Sequence, residues 1–491
     1  MNKDFLKSAL IIALAAILTG VVAWILPAWN NEIFTIRKMH WFSALKPSAE
    51  VQDTTAVLQE KIADTPSPLR PFLDKLGMMK PLTGKTALIK GTSGPSPKKL
   101  RIAYFSDSII EGDLITAPLR SSLQDIYGGK GVGMVPITSI VSGFRQTIRH
   151  DFSRNWQTVS FMTRGKNDIS LGITGYTFIP RPYYLDQKPI KPSSPDSLDS
   201  IVNTDSPDSL SLADSLAIAQ DTLKVSKIAR FYVDEDPWVE YKAVDIAGGA
   251  AYFNSIKLYY SHASDSSFVQ VSYASEPAIT RQLRAGSTLQ VLDLSPGEPI
   301  KSIRLSFSRH DPLHLYGLSF DEDSGVYVDN FPIRGYSGMY FQRIYAAVLQ
   351  AFGQRLDYDL VILQYGQNVS SPKNTDYQNY KRAMTHTIEH IQTAMPRVPI
   401  LIISAHDRSI KDGTKYKTSP DIPILVKTQS DFAQETGCAF WNLYEAMGGY
   451  NSMLGLVNQN PPLAGKDYTH FTRRGADYVA ELLLKFFKGE S

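Results

Sequence analysis

The sequence predicts an α/β protein: a mainly parallel, three-layer sheet domain, interrupted by an inserted β-sandwich and preceded by one membrane-spanning helix. Three observations carry this expectation. After Gly325, strand-like runs at 326–330, 360–364, 400–404 and 439–443 alternate with helical spacing over 340–352, 377–395, 422–436 and 472–487, the βα order that builds parallel sheets. Before Gly325, short alternating segments follow one another between glycine and proline breaks, as in a sandwich. Near the amino end, no charged residue occurs from Ser8 to Asn31.

Taken in order, the first element is the anchor, residues 1–31. At about 1.5 Å rise per residue its apolar run crosses a hydrocarbon core of about 30 Å, and Trp24 and Trp29 stand where interfacial aromatics belong. A cleaved signal peptide is the alternative, because Lys3 and Lys7 precede the run; the length and bulky end of the run, with no small-residue cleavage pattern, favour an uncleaved anchor. The same lysines favour a cytoplasmic amino end, although Arg37 and Lys38 oppose them. The bulk of the chain is therefore expected outside the cytoplasm. Residues 32–97 read as a stalk, helical over 48–63 and then broken by Pro66, Pro68, Pro71 and the 91–97 stretch.

The α/β domain begins at 98, with a buried strand over 100–105 and a helix over 109–127 that stops at Gly128 and Gly129. Its first part ends at 145. The β-sandwich occupies 146–325, with strands expected at 158–163, 176–179, 228–233, 255–260, 268–273, 289–294 and 303–307. Within it, 186–221 repeats Asp, Ser and Pro with few aromatics and is expected to be a disordered loop. The second part of the α/β domain is 326–491.

Composition narrows the functions. A chain of 491 residues is too long for one ordinary domain, and 43% hydrophobic with 20% charged residues excludes a wholly disordered chain. A formal net charge of +3 at this length gives no reason to expect a nucleic-acid partner. One cysteine, Cys438, excludes an internal disulfide and any cysteine-cluster metal site.

Four short blocks lie at strand–helix junctions or before the last helix, where an α/β sheet presents its functional groups. They are 105–113 (Phe-Ser-Asp-Ser-Ile-Ile-Glu-Gly-Asp), 334–338 (Arg-Gly-Tyr-Ser-Gly), 364–368 (Gln-Tyr-Gly-Gln-Asn) and 467–470 (Asp-Tyr-Thr-His). A serine at a helix start, with an aspartate and a histidine elsewhere, suits nucleophilic catalysis. The hydroxyl becomes a good nucleophile only when a base takes its proton.

In order and content these blocks resemble those of the SGNH, or GDSL-type, hydrolases, over 100–145 and 326–491. The resemblance implies a three-layer, flavodoxin-like fold, with Ser108 as nucleophile, His470 as general base and Asp467 orienting it. It implies an oxyanion hole made by the backbone N–H of Ser108, the backbone N–H of Gly338 and the side-chain amide of Asn368. Gly335 is the other candidate in the second block; Gly338 is preferred because Tyr-Ser-Gly matches the family's Ile-Ser-Gly pattern better. Ser106 stands where the family has glycine, and Val369 where it has aspartate. No metal or cofactor is implied.

Other groups invite chemistry and are read as structure. His386 and His390 in His-Thr-Ile-Glu-His match a zinc-peptidase pattern but fall outside the apolar stripe of their helix, and so are expected on a solvated face. His406 and Asp407 follow a strand and either touch substrate or form a turn. His310 and Asp311 read as a loop and Cys438 as core, as do Tyr259, Tyr260 and Trp238, for which a sugar-stacking platform is the alternative.

The resemblance and the anchor together imply an envelope esterase removing O-acyl groups, chiefly acetyl, from a polysaccharide or peptidoglycan. The inserted sandwich resembles the jelly-roll-like carbohydrate-binding modules inserted in some bacterial peptidoglycan O-acetylesterases, a resemblance that implies a bacterial inner membrane with the bulk of the chain in the periplasm. Two alternatives use the same residues: an O-acetyltransferase working beside a membrane-bound acyl-transfer partner, and a non-catalytic glycan-binding protein.

Overall fold

The computed structural model describes residues 67–89, 94–163, 169–186 and 230–490. The predicted anchor (1–31), the stalk up to 66 and nearly all of the Asp/Ser/Pro segment lie outside the described residues. Among the described residues, no helix is long and apolar enough to cross a membrane.

Five strands form one parallel sheet in the order Gly325–Pro332, Lys99–Ser106, Leu360–Gln364, Ile400–Ile403, Ala439–Trp441. Their sequences are almost unbroken apolar runs because both faces are covered by helices. The alternation of side chains sorts them into two cores. Ala103, Phe105, Val361, Leu363 and Ile402 meet Phe352, Ile388 and Phe432 from the helices Ala346–Leu356, Gln378–Ala394 and Ile422–Glu435. Ile102, Tyr104, Ile362, Leu401 and Ile403 meet Leu119, Leu123, Val479 and Leu483 from Thr116–Tyr127 and Arg473–Lys488. Each such side chain, fully buried, contributes about 1.5–3 kcal/mol. The result is the helix–sheet–helix layering that the βα alternation implies.

Between the first two strands of the sheet, among the described residues, the chain builds two large antiparallel sheets and a small one, Tyr183–Asp186 with Arg230–Val233. One large sheet runs Ile279–Gln282, Phe268–Tyr273, Ser302–Phe307, Trp238–Ala243, Ile148–Phe152; the other runs Gln290–Asp293, Ile256–Ser261, His314–Phe320, Tyr176–Pro180, Trp156–Ser160. Val239, Val269, Val271, Leu258, Leu305 and Leu315 pack between them. Tyr259 and Tyr316 point the other way, onto Phe352 of the α/β domain at 5.8 and 5.4 Å, so sandwich and α/β domain share one core.

Several sequence expectations change. The sandwich begins earlier than 146, because Gly133–Val135 pairs with His314–Phe320. The strands at 148–152, 238–243 and 314–320 escaped notice; His314–Phe320 is buried almost throughout, so it lacks the polar alternation that marks a half-exposed strand. The helix expected over 109–127 splits into a 3-10 turn, Ser108–Asp113, and the helix Thr116–Tyr127, because Gly112 and Asp113 take positive φ. The helix expected over 340–352 likewise splits into Phe341–Arg343 and Ala346–Leu356, with Tyr340 left-handed and Tyr345 extended.

The stalk also ends sooner than 97. Helix Arg70–Met78 lies on the α/β core, with Phe72 and Leu76 buried and Phe72 stacked 5.4 Å from Phe487. Lys75 holds Asp359 at 2.6 Å, and the other oxygen of Asp359 accepts the Arg101 backbone N–H.

The bend at Asp113 has a purpose. It turns the carboxylate into the protein, where it accepts from Thr116 Oγ1 (2.5 Å), Arg120 Nη2 (2.5 Å), Arg145 Nη2 (3.1 Å) and Thr147 Oγ1 (2.6 Å). Burial pushes its pKa up, but the two guanidiniums prevail and hold it well below the usual carboxylate range. Arg120 reaches further, to Gly248 O in the sandwich and Val328 O in the sheet.

Two outcomes follow. A fragment starting near Pro68 is expected to melt higher than one starting near Pro97, and Phe72→Ala to lower unfolding free energy by about 3 kcal/mol, both by thermal and urea denaturation. Asp113→Ala strands Arg120 without its partner in the interior and is expected to destabilise by about 3–5 kcal/mol in the same assay.

Candidate active site

Parallel register aligns three of the four blocks. Ser106 pairs with Pro332 on one side and Gln364 on the other, so Ser108, Gly335 and Asn368 each follow within a few residues of one level of the sheet's carboxyl edge. The Ile333 N–H donates to Ser106 O at 3.0 Å and holds the second loop against the first. Asp107 caps the turn that carries Ser108, its Oδ1 accepting the Ile109 N–H at 3.0 Å.

The fourth block closes on this edge from the far end of the chain. Ser108 Oγ and His470 Nε2 are 3.1 Å apart, and His470 Nδ1 and Asp467 Oδ2 are 2.6 Å apart. Asp467 Oδ1 also accepts the backbone N–H of Thr469 and His470, at 3.1 and 3.0 Å, so one carboxylate both shapes the turn and orients the ring. With Nδ1–H donating to the Asp467 carboxylate, Nε2 is left as acceptor for the serine hydroxyl. The His470 pKa is raised, first by the hydrogen bond to Asp467; burial of Asp467 is outweighed by the same bond, which draws its carboxyl down to about 2.

A second shell of contacts holds the turn 467–470 in place. His406 is buried, with Nε2 at 2.9 Å from Thr469 O and its ring 4.8 Å from Phe471, and burial brings its pKa down to about 4. The Ser409 N–H donates to Tyr468 O at 3.1 Å, and Tyr416, on the hairpin Ser409–Asp412 with Lys415–Thr418, stacks on Tyr468 at 3.9 Å. Of the two sequence readings for His406 and Asp407, the structure shows a buried turn: Asp407 accepts the Met453 N–H at 2.8 Å.

Asn368 sits beside the serine's turn. Its Nδ2 donates to Asp107 Oδ2 at 2.7 Å and to Tyr336 O at 3.0 Å. Asp107 is almost wholly buried, and burial pushes its pKa up to about 6 against the opposing pull of the Ile109 N–H, His470 and Asn368. The sequence reading passed over Asp107, although it adjoins Ser108 in the first block. It also passed over Glu111, three residues on, which forms an ion pair with Arg334 in the second block.

The two candidate glycines of the second block differ in their surroundings. Gly338 is buried, its carbonyl accepts from Thr387 Oγ1 at 3.0 Å, and a Cβ there would meet Tyr365 at 2.6 Å. It serves the packing of that loop onto helix Gln378–Ala394. Gly335 is exposed with open space around it and follows Arg334, which grips the serine's own turn.

The departures from the family pattern have local reasons. Ser106 is buried and its hydroxyl donates to Gln364 O at 2.5 Å, bridging two strands. Val369 donates its N–H to Gly366 O and packs on the apolar core.

His386 is exposed beside Glu389, as expected, but His390 is partly buried, with Nε2 at 2.8 Å from Ile344 O. Among the described residues no group of three or more His, Cys, Asp or Glu is placed to hold a metal. Cys438, Tyr259 and Tyr260 are core residues; Trp238 is only half-buried and carries Arg304 over its ring at 3.7 Å.

The histidine's environment sets a measurable titration. The His470 imidazolium is expected to persist above its ordinary 6.5, so the Nε2 acceptor is lost as pH falls through that raised value. In Asp467→Asn the midpoint is expected to move down, read by NMR of the imidazole protons; an unchanged midpoint would count against the pairing.

Comparison with known proteins bears on the fold. A solved structure of a peptidoglycan O-acetylesterase superposes with a TM-score of 0.59 at 20% identity, over 85% of this chain and 95% of that one. That share is too large for the α/β part alone and takes in the sandwich. A family two carbohydrate esterase from Cellvibrio japonicus (12% identity, 52% of this chain, 90% of that one, TM-score 0.23) and a GDSL-like lipase from Parabacteroides merdae (14%, 34%, 74%, 0.26) superpose too loosely to add to it. No family model matches the sequence, and no curated protein does. The likeness is one of fold: a parallel sheet with helices on both faces, interrupted by an antiparallel sandwich, superposes on the solved peptidoglycan O-acetylesterase.

Proposed function

We propose that the protein is a serine esterase that removes O-acyl groups, chiefly acetyl, from a cell-envelope polysaccharide or peptidoglycan. The observation that carries this reading is the hydrogen-bonded chain Ser108–His470–Asp467, at 3.1 and 2.6 Å. The likeness in fold to a peptidoglycan O-acetylesterase supports the choice of substrate. The uncharged run from Ser8 to Asn31, after Lys3 and Lys7, supports work outside the cytoplasm from a membrane anchor.

In the reaction, Ser108 Oγ attacks the acyl carbon while its proton passes to His470 Nε2. The imidazolium that forms is stabilised by Asp467. Negative charge on the acyl oxygen is met by the backbone N–H of Ser108 and Gly338, and by Asn368 Nδ2. Asn368 is held in orientation by Asp107 and releases its longer contact, to Tyr336 O, to make that bond. Collapse breaks the bond from the acyl carbon to the sugar oxygen, which takes the proton from His470 and leaves as a hydroxyl, with acyl-Ser108 behind it. Water then attacks, its proton passing again through His470, and the free acid departs.

Ser108→Ala is expected to abolish acetate release from O-acetylated peptidoglycan and labelling by a fluorophosphonate. Asn368→Ala is expected to keep the label but lower kcat by about 10²–10³. Unchanged acetate release in Ser108→Ala would overturn the reading. Mass analysis of added oligosaccharide separates hydrolysis from transfer, since a transferase would leave acetyl on the acceptor.

A further inference from the structure

A cavity of about 280 Å³ opens where the sandwich meets the α/β domain. Two of its walls belong to the catalytic side: Glu111 and Gly112, on the turn that begins at Ser108, and Phe331 and Pro332, at the carboxyl end of the neighbouring strand. The rest comes from the sandwich. From the position of these walls and the chemistry of the lining, we infer that the cavity is a sugar subsite, holding one pyranose ring of the acylated glycan whose ester reaches Ser108. This rests on the esterase reading above.

The lining is amphipathic in a way that selects the occupant. The Tyr176 ring offers an aromatic wall and is backed by the buried Phe178 ring, stacked 5.8 Å away at 15°. Around it stand the hydroxyls of Thr138, Thr158 and Thr174. The Glu111 side chain, only 6% exposed, brings a carboxylate to the same space. An alkyl chain filling this volume would take those polar groups out of water and return no hydrogen bond. A pyranose presents C–H faces to aromatic rings and a rim of hydroxyls to acceptors and donors, so it satisfies both parts of the wall. The volume lies near the lower end for small-molecule sites, room for one ring and not for a long oligomer. The Tyr176 phenol is pushed up to about 12, by burial and then by the charge of Glu111, which agrees with both groups facing one space.

The subsite predicts that filling it penalises glycan esters and spares a sugarless ester. Val141→Trp, from the loop over the cavity, and Tyr176→Ala, which removes the aromatic wall, are each compared with the unaltered full-length chain on O-acetylated peptidoglycan and on p-nitrophenyl acetate. The ratio of kcat/KM for the polymer to that for p-nitrophenyl acetate is expected to fall at least about tenfold in both variants. Because the ratio is taken within one protein, a partly unfolded variant cannot imitate the result. An unchanged ratio overturns the subsite, as does an unaltered chain that cleaves p-nitrophenyl acetate but not the polymer. If the variants instead lose p-nitrophenyl octanoate relative to acetate, the cavity takes an alkyl chain and the sugar subsite is overturned. A chain that cleaves none of these esters overturns the esterase reading itself, which distinguishes the two failures.

Discussion

Asp113 and Arg120 bury a charge pair where three parts of the chain meet, and the geometry of the serine's turn depends on it. Neither side chain is exposed, so each charge is tolerable only because the other is there, with hydrogen bonds filling the remaining positions. Asp113 closes the turn that starts at Ser108, Arg120 belongs to the next helix and touches the sheet at Val328, and Arg145, Thr147 and Gly248 bring in the sandwich. A second buried group repeats the device near the amino end of Lys99–Ser106, the strand that leads into the serine's turn. Arg101 binds Asp321 and Asp329, and Asp329 also accepts from Tyr358 and the Met134 N–H. The inserted sandwich is therefore fastened to the α/β domain by buried ions as well as by Tyr259 and Tyr316 against Phe352.

From that frame the site follows by register. Once the strands bearing Ser106, Pro332 and Gln364 lie side by side, the loops after them have no choice but to meet, and their short lengths place Ser108, Gly335 and Asn368 together. The histidine arrives differently. Its turn is built by Asp467, held from below by His406 and Tyr416, and delivered by the last helix, whose Thr472 caps the first turn by accepting the Gly475 N–H. The nucleophile is thus positioned by a sheet and the base by a separately braced loop. This division lets each be rigid without either being part of the other's element.

Much of this was legible in the residues. The αβ alternation came through because a sheet covered on both faces demands unbroken apolar strands, and the helices between them must show a 3.6-residue stripe. The four blocks stood out because each combines glycine, serine, asparagine or an aspartate–histidine pair with a strand end. Less legible was the start of the sandwich at Gly133, since a three-residue strand carries no periodicity. Helix Arg70–Met78 was hidden too, because Pro66, Pro68 and Pro71 suggest a spacer, whereas Pro71 falls in the first turn of a helix, where its missing N–H costs nothing.

By itself, then, the sequence determined the alternation of strands and helices, which depends on local patterns of polarity, and the four blocks that hold Ser108, Asn368, Asp467 and His470, which stand out by residue chemistry and by resemblance. Only the tertiary structure separates Gly335 from Gly338. The two glycines are alike in sequence and both take positive φ, and what separates them is a neighbour: Tyr365 and Thr387 lie against one, and open space surrounds the other. The same holds for Glu111, Asp113 and the cavity beside them. Their partners come from residues far along the chain, brought near by the folding of one domain inside another.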